Sequence, residues 1–317
     1  MRRLNTLILA VLLIALGGYV YFFELAKDEK GKSERLINFK SDELTGIDLA
    51  YPKRALQLQK DPSGKWRLTQ PLQTGADDAA VGSLIAAITA ADIKRPLEKK
   101  PSAEDLKSFG LDTPAAKVSL TLKSGLTLPQ LIVGAKTPLG DSAYVRRGSD
   151  PVVYLTGSAL VFALDKEPNE IRDRTIVVFP VEKATRLQIQ TTGQALVLAK
   201  GEKEEWTIES PLKKTAKADA VNGYFALLAQ LRAKTFADDH PADLKKYGLD
   251  RAALEISIDG KDGKNLARLR VAGKSAVGYY ATAEGSPTVY TIDERFYNQL
   301  RKQPADFAAE EKEKAKK

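Results

Sequence analysis

Apolar residues follow three rhythms along this chain. From Leu4 to Phe23 they run almost unbroken. Ile47 and Leu49, then Leu56 and Leu58, alternate with polar neighbours, which marks half-buried strands. Asp61-Pro62-Ser63-Gly64 predicts a turn, followed by a strand that starts at Trp66 and Leu68. Pro71 ends that strand, because proline brings no N–H to the ladder. The period then changes. Val81, Leu84, Ile85 and Ile88 fall at i, i+3, i+4 and i+7, one stripe of a helix, with Asp77 or Asp78 as its N-cap. Alternation returns in Val118–Leu122, Leu131–Val133, Ala143–Val145 and Val152–Tyr154.

The whole pattern occurs twice. A shift of 140 residues places Ile47 and Leu49 on Leu187 and Ile189, and Leu56 and Leu58 on Leu196 and Leu198. It places Trp66, Leu68, Pro71 and Leu72 on Trp206, Ile208, Pro211 and Leu212. Val81, Leu84 and Ile88 meet Val221, Tyr224 and Leu228, with Asp219 as the second helix's expected cap. Further on, Asp105-Leu106-Lys107-Ser108-Phe109-Gly110-Leu111-Asp112 matches Asp243-Leu244-Lys245-Lys246-Tyr247-Gly248-Leu249-Asp250. Gly134 matches Gly273, and Val153-Tyr154 matches Val289-Tyr290. Gly110 and Gly248 suit the left-handed position just past a helix end, with the next leucine folding back on the helix, so this motif predicts a helix stop. The expected fold is α+β: two tandem homologous units, each an antiparallel sheet with about two helices on one face. The expected boundaries are a transmembrane anchor over 1–25, a linker over 26–33, a first unit over 34–174, a second over 175–305 and a charged tail over 306–317.

The unbroken run predicts the anchor. No charged residue lies between Arg3 and Glu24. Its 20 residues would make a helix of about 30 Å, one hydrocarbon thickness. Tyr19, Tyr21, Phe22 and Phe23 cluster at one end, as in an interfacial belt. Arg2 and Arg3 precede the run, while four acids and four bases balance between Glu24 and Arg35. Positive-inside logic keeps the N-terminus cytoplasmic and exports the rest, giving a single-pass protein of the bacterial inner membrane with a periplasmic body. A cleaved signal at Ala15-Leu16-Gly17 is the competing reading; the apolar run continues six residues beyond it, which favours the anchor.

Composition narrows the chemistry. The chain lacks cysteine, which removes thiol nucleophiles, disulfides and thiolate metal sites. Its net charge of +8 is evenly spread, with 24 Lys/Arg against 20 Asp/Glu over 176–317 and 25 against 21 elsewhere. No basic face or arm emerges, so nucleic acid is not an expected partner. The single histidine, His240, with Asp238 and Asp243 is a thin ligand set, and Pro241 beside it reads as a helix start. Ser210-Pro211-Leu212-Lys213 has the Ser-x-x-Lys spacing, but the proline after the serine spoils the shared helix turn that the motif needs. Gly260-Lys261-Asp262-Gly263-Lys264 is a polar hairpin loop without the ending of a phosphate loop. Nothing in spacing pairs Asp48, Glu104 and Asp112 as acid and base. The reading is therefore no enzyme, no cofactor and no metal site. Trp66, Trp206, Pro71, Pro211, Gly110 and Gly248 are expected to be structural anchors of the repeat.

An N-terminal anchor, then a duplicated unit with Trp-x-Leu/Ile-x-x-Pro and Leu-x-x-Phe/Tyr-Gly-Leu, resembles the bacterial domain of unknown function 4340 family over nearly the whole exported part. Members are often encoded beside a permease and a large periplasmic subunit of gliding-motility-type ABC export systems. The resemblance thus implies a non-catalytic, membrane-anchored periplasmic accessory component of an ABC-type envelope transport system, with the permease or periplasmic subunits as partners. The alternative is a periplasmic binding module for an envelope polysaccharide or lipid. It predicts a groove lined by aromatics such as Tyr224, Tyr279 and Tyr280.

Overall fold

The structure, a computed structural model, describes residues 34–310. The predicted anchor, the linker and residues 311–317 lie outside the described residues. Among the described residues no helix is long and apolar enough to cross a membrane. The chain divides into two units between Asp173 and Arg174.

The first unit runs β1 (Leu44–Ala50), β2 (Ala55–Lys60), β3 (Trp66–Gln70), β4 (Thr74–Gly75), α1 (Asp78–Ala90), β5 (Arg95–Glu98), α2 (Ala103–Ser108), β6 (Ala116–Leu122), β7 (Leu131–Lys136), β8 (Ser142–Arg147), β9 (Val153–Gly157), α3 (Ala159–Leu164) and α4 (Pro168–Ile171). Its described strands form one nine-stranded antiparallel sheet in the order β4-β3-β2-β1-β6-β7-β8-β9-β5. The alternation seen in the sequence decides the register. Ile47 sits opposite Leu58 on one side and Leu120 on the other, and Leu49 opposite Leu56 and Val118. All six are at most 1% exposed. A slip of one residue would turn this row to the other face. The stripe Val81, Leu84, Ile85 and Ile88 of α1 is buried in the same core. Burial of such side chains contributes about 1.5–3 kcal/mol each. Asp77 caps α1 by accepting the Ala80 N–H at 2.9 Å.

The second unit repeats the plan: β10 (Ala184–Thr191), β11 (Gln194–Lys200), β12 (Trp206–Ser210), β13 (Lys214–Thr215), α5 (Ala218–Ala229), β14 (Thr235–Asp238), β15 (Leu254–Gly260), β16 (Asn265–Ser275), β17 (Gly278–Ala283), β18 (Val289–Ile292), α6 (Glu294–Leu300) and α7 (Pro304–Phe307). Its described strands have the same order, β13-β12-β11-β10-β15-β16-β17-β18-β14. Leu187 lies between Leu198 and Ile258, as Ile47 does between Leu58 and Leu120. Trp206 packs edge-on against Phe225 of α5, with ring centroids 5.8 Å apart.

Four details differ from the sequence expectation. Each unit carries more than two helices, since the short α3, α4, α6 and α7 have too few turns to show a periodic stripe. Asp219 is not the cap of α5; Lys217 holds that place with no side-chain cap, and Asp219 lies in the first turn. The helix start expected at Pro241 is missing. In the first unit Ser102 and Asp105 form a reciprocal capping box. His240 stands where Ser102 does and offers no cap hydroxyl, and Asp243 instead accepts the Lys245 N–H at 2.8 Å. The segment collapses to a 3-10 turn over Lys245–Tyr247. Finally, the second unit does not stop at residue 305. Phe307 is 1% exposed in its core, packed edge-on against Tyr224, so an apolar anchor sits inside the presumed charged tail.

Both glycine turns close with the predicted geometry, the first after α2 and the second after the 3-10 turn that replaces the expected helix. Gly110 (φ 65°) and Gly248 (φ 70°) are left-handed. Leu111 N–H reaches back to the Leu106 carbonyl at 2.8 Å, and Leu249 N–H to that of Leu244 at 3.1 Å. The closed turn then presses on a strand. A Cβ on Gly134 would lie 2.3 Å from the Phe109 carbonyl oxygen, and one on Gly273 would lie 2.3 Å from that of Tyr247. Gly134→Ala and Gly273→Ala should each destabilise by about 1–3 kcal/mol, because backbone must shift to admit the methyl. Gly82, mid-helix in α1 with nothing within 4 Å of its missing Cβ, is the opposite case. Gly82→Ala should stabilise by about 0.5–1 kcal/mol. Urea denaturation midpoints of the three variants check both signs.

Candidate functional site

The anchors singled out in the sequence lie in the two sheets and their turns. Trp66 and Trp206 are 7% and 4% exposed, each within its unit's core. Pro71 and Pro211 both follow cis peptide bonds at the ends of β3 and β12. The three tyrosines expected to share a groove do not share one. Tyr224 is 3% exposed and donates its hydroxyl to the Leu300 carbonyl at 2.8 Å. Burial raises its pKa well above the ordinary tyrosine value. Tyr279 and Tyr280 are successive residues of β17, so they point to opposite faces. Tyr279 stacks on Tyr297 at 3.9 Å, while Tyr280 packs edge-on against Tyr247 at 5.0 Å.

The residues weighed for chemistry have local partners. His240 donates its backbone N–H to Asp238, whose other carboxylate oxygen accepts the Tyr247 hydroxyl at 2.6 Å. Among the described residues no group of three or more His, Asp or Glu side chains is placed to hold a metal ion. Ser210 donates its hydroxyl to the Ala195 carbonyl at 3.2 Å. Asp48, Glu104 and Asp112 sit on β1, on α2 and in the loop after it. Burial raises the Asp48 pKa.

The polar concentration lies elsewhere, at the β8–β9 hairpin. Asp150 accepts the Val152 N–H at 2.9 Å, which closes the turn, and its other oxygen accepts the Tyr154 hydroxyl at 2.8 Å. Arg147 donates to the Tyr154 hydroxyl and to Glu34, both at 2.9 Å, and its guanidinium lies 4.6 Å from the Tyr154 ring centroid. The bond from Val152, then that from Tyr154, holds the Asp150 carboxyl below its ordinary pKa. Burial and then Asp150 raise that of Tyr154. A recess of about 520 Å³ opens beside this network, lined by Arg35, Ile37, Leu128, Pro129 and Arg147 among others.

The second unit is built differently at the same hairpin. Ala283 and Ser286 stand where Arg147 and Asp150 do, and the Tyr290 and Ser286 hydroxyls lie 2.9 Å apart. The arginines come from β16 instead. Arg268 reaches Glu255 at 3.5 Å and Glu284 at 3.6 Å, and Arg270 reaches Glu255 at 3.4 Å. They line a recess of about 200 Å³ with Thr282 and Ser286. Sequence reasoning missed both clusters. The available signal was Arg268-Leu269-Arg270, since residues two apart on a strand share a face. Chemically these groups hold anions, and an incoming carboxylate or phosphate must displace a resident Glu or Asp.

Large apolar side chains also reach the surface. In the first unit Leu139 is 90% exposed in the β7–β8 hairpin and Phe162 is 61% exposed on α3, with the Lys136 ammonium 3.4 Å above its ring centroid.

A family model described as Domain of unknown function (DUF4340) matches residues 66–222 and again residues 206–312. The two matches begin at the two tryptophans. No curated protein matches the chain.

Stability should fall on both sides of neutrality. Asp61, Asp105, Asp150, Asp238 and Asp293 have folded pKa values lowered by hydrogen bonds to neighbouring side chains or backbone N–H groups. Their stabilisation is complete above the unfolded value of about 4 and is lost as pH drops through the lower folded values. Tyr154 and Tyr224 have raised values, so their stabilisation is complete below about pH 10 and is lost above it. The denaturation midpoint plotted against pH should be a plateau with an acid and an alkaline limb. Tyr154→Phe should lower the plateau by about 1 kcal/mol by removing the hydroxyl that accepts from Arg147 and donates to Asp150, which leaves only their direct pair at 3.6 Å.

Proposed function

The chain belongs to the DUF4340 family, and on that footing we propose that it is a non-catalytic accessory subunit of an ABC-type transport assembly in the bacterial envelope. In this reading Leu4–Phe23 holds it in the inner membrane, and the body is a periplasmic docking module for the permease or its periplasmic subunits. The observation that carries the reading is the exposed pair Leu139 and Phe162. Lys136, three residues before Leu139, holds its ammonium over the Phe162 ring, which brings the two into one neighbourhood, and large apolar side chains gathered in water mark contact with another macromolecule. The tandem copies supply what a docking body needs. Each has a core of its own and its own hairpin tips and helix ends, so surfaces diverge while sheets stay alike. The ten residues from Glu24 to Ser33, extended, span about 35 Å at most, which keeps the first unit near the bilayer.

A second reading has support from the arginine clusters. Arg147 in one copy and the Arg268–Arg270 pair in the other suit an acidic envelope polysaccharide or lipid headgroup. It predicts affinity that falls steeply with salt and with Arg268→Ala.

In-cell crosslinking of the tagged full-length chain, followed by mass spectrometry, decides between them. Transporter subunits should co-purify, and should be lost when Leu4–Phe23 is replaced by a cleavable signal. Recovery of glycan or lipid with no protein partner would transfer the case to the second reading.

A further inference from the structure

Each copy is an internal control for the other, and at one place they differ in volume. The register sets Ala116 opposite Val133 in the first sheet and Leu254 opposite Val271 in the second. Likewise Ala143 is matched by Tyr279. Counting back from Leu164 and Leu300, which end α3 and α6, Val161 is matched by Tyr297. The second copy thus fills this end of its sheet with a leucine and a stacked tyrosine pair. The first copy has two alanines and a valine there, and a cavity of about 190 Å³ lined by Tyr51, Ala116, Val133, Val161, Leu164 and, at its polar edge, Asp165 among others. Tyr51, whose counterpart is Thr191, bounds one side and is fixed there by donating its hydroxyl to the Leu164 carbonyl. An apolar cavity of about 150 Å³ accommodates one benzene ring, so this one has the size for a single aromatic side chain.

We propose that this cavity is a socket on the first unit for one aromatic side chain, tyrosine or phenylalanine, presented by a partner protein. Resting on the docking reading above, it names the docking point. Three observations select the occupant. The second copy places a tyrosine at the corresponding position. Phe162, the residue after Val161 on α3, is 61% exposed, so a large apolar ring stands in water next in the chain to a residue that lines the cavity. The rim carries both signs, with Arg54 bound to Asp165 at 3.2 Å and to Glu167 at 3.1 Å, and Lys136 over Phe162, which suits the polar flanks of a polypeptide. Asp165's counterpart is Arg301, whose guanidinium lies 5.5 Å from the Tyr297 ring centroid, so the filled site also places a charge beside the ring.

The test is Ala116→Leu in the full-length chain, which installs the second copy's own residue. Two readouts are needed. Titration of p-cresol followed by NMR should move the methyl signals of Ala116, Val133 and Val161 in the parent, and Ala116→Leu should weaken that binding at least tenfold while leaving thermal stability equal or higher. A photo-crosslinking residue at position 162 should attach to a partner peptide containing Tyr or Phe, and Ala116→Leu should cut that yield at least tenfold. Absence of p-cresol shifts in the parent overturns the socket. So does an unchanged crosslink in Ala116→Leu, which leaves the docking reading standing. If the parent captures no protein at all, both fall. Phe162→Ala should reduce the crosslink made from position 139 while sparing p-cresol binding, which separates the rim from the socket.

Discussion

Everything in each unit hangs on one apolar row across the middle of its sheet. Leu58, Ile47 and Leu120 in the first copy, and Leu198, Leu187 and Ile258 in the second, are held side by side by the antiparallel ladder. The helix α1 or α5 has a hydrophobic stripe with no other place to go, and the row gives it a floor. The central strands β1 and β6 are about seventy residues apart in sequence, so closing that pair costs loop entropy before the core repays it. The long apolar alternation on those strands makes the register worth the cost. Strands towards the edges, such as the two-residue β4 and β13, contribute little to that core and are free to be short.

The row, the helix stripe and the helix stops were legible because each is a local pattern with one physical solution. Period two gives a strand, period 3.6 gives a helix, and a glycine followed by leucine closes a turn. Elements without periodicity were not legible. β5 and β14 are four residues long, and the proline at Pro96 argues against a strand unless it lies at an edge, which is where it lies. Phe307 looked like part of a charged tail because its neighbours are polar, while its burial depends on a contact with Tyr224 more than eighty residues earlier. The three tyrosines failed as a groove for a similar reason. Tyrosine alone does not say whether its hydroxyl finds water or a buried carbonyl, and Tyr224 found the carbonyl of Leu300.

The polar clusters show what duplication leaves free to change. Both copies keep a tyrosine at the end of the β8–β9 or β17–β18 hairpin, Tyr154 and Tyr290, yet one is tied to Asp150 and Arg147 and the other to Ser286. Side chains facing the core are limited by the row and the stripe. Those on hairpins and on the opposite face are not held by that packing, and there the copies have diverged in charge, size and exposure. In both arginine clusters each guanidinium faces a resident acid.

Two sheets with the same strand order and register, joined in one polypeptide, pose a hazard during folding. β1 presents nearly the same apolar alternation to β15 as to β6, so a hybrid sheet drawing strands from both copies satisfies the backbone equally well. What discriminates is volume. The first copy has room at Ala116 and Val161, whereas a hybrid that brings Ala116, Ala143 or Val161 into the frame filled by Leu254, Tyr279 and Tyr297 leaves voids. The unequal side chains of the two copies therefore penalise that exchange and favour each strand in its own sheet.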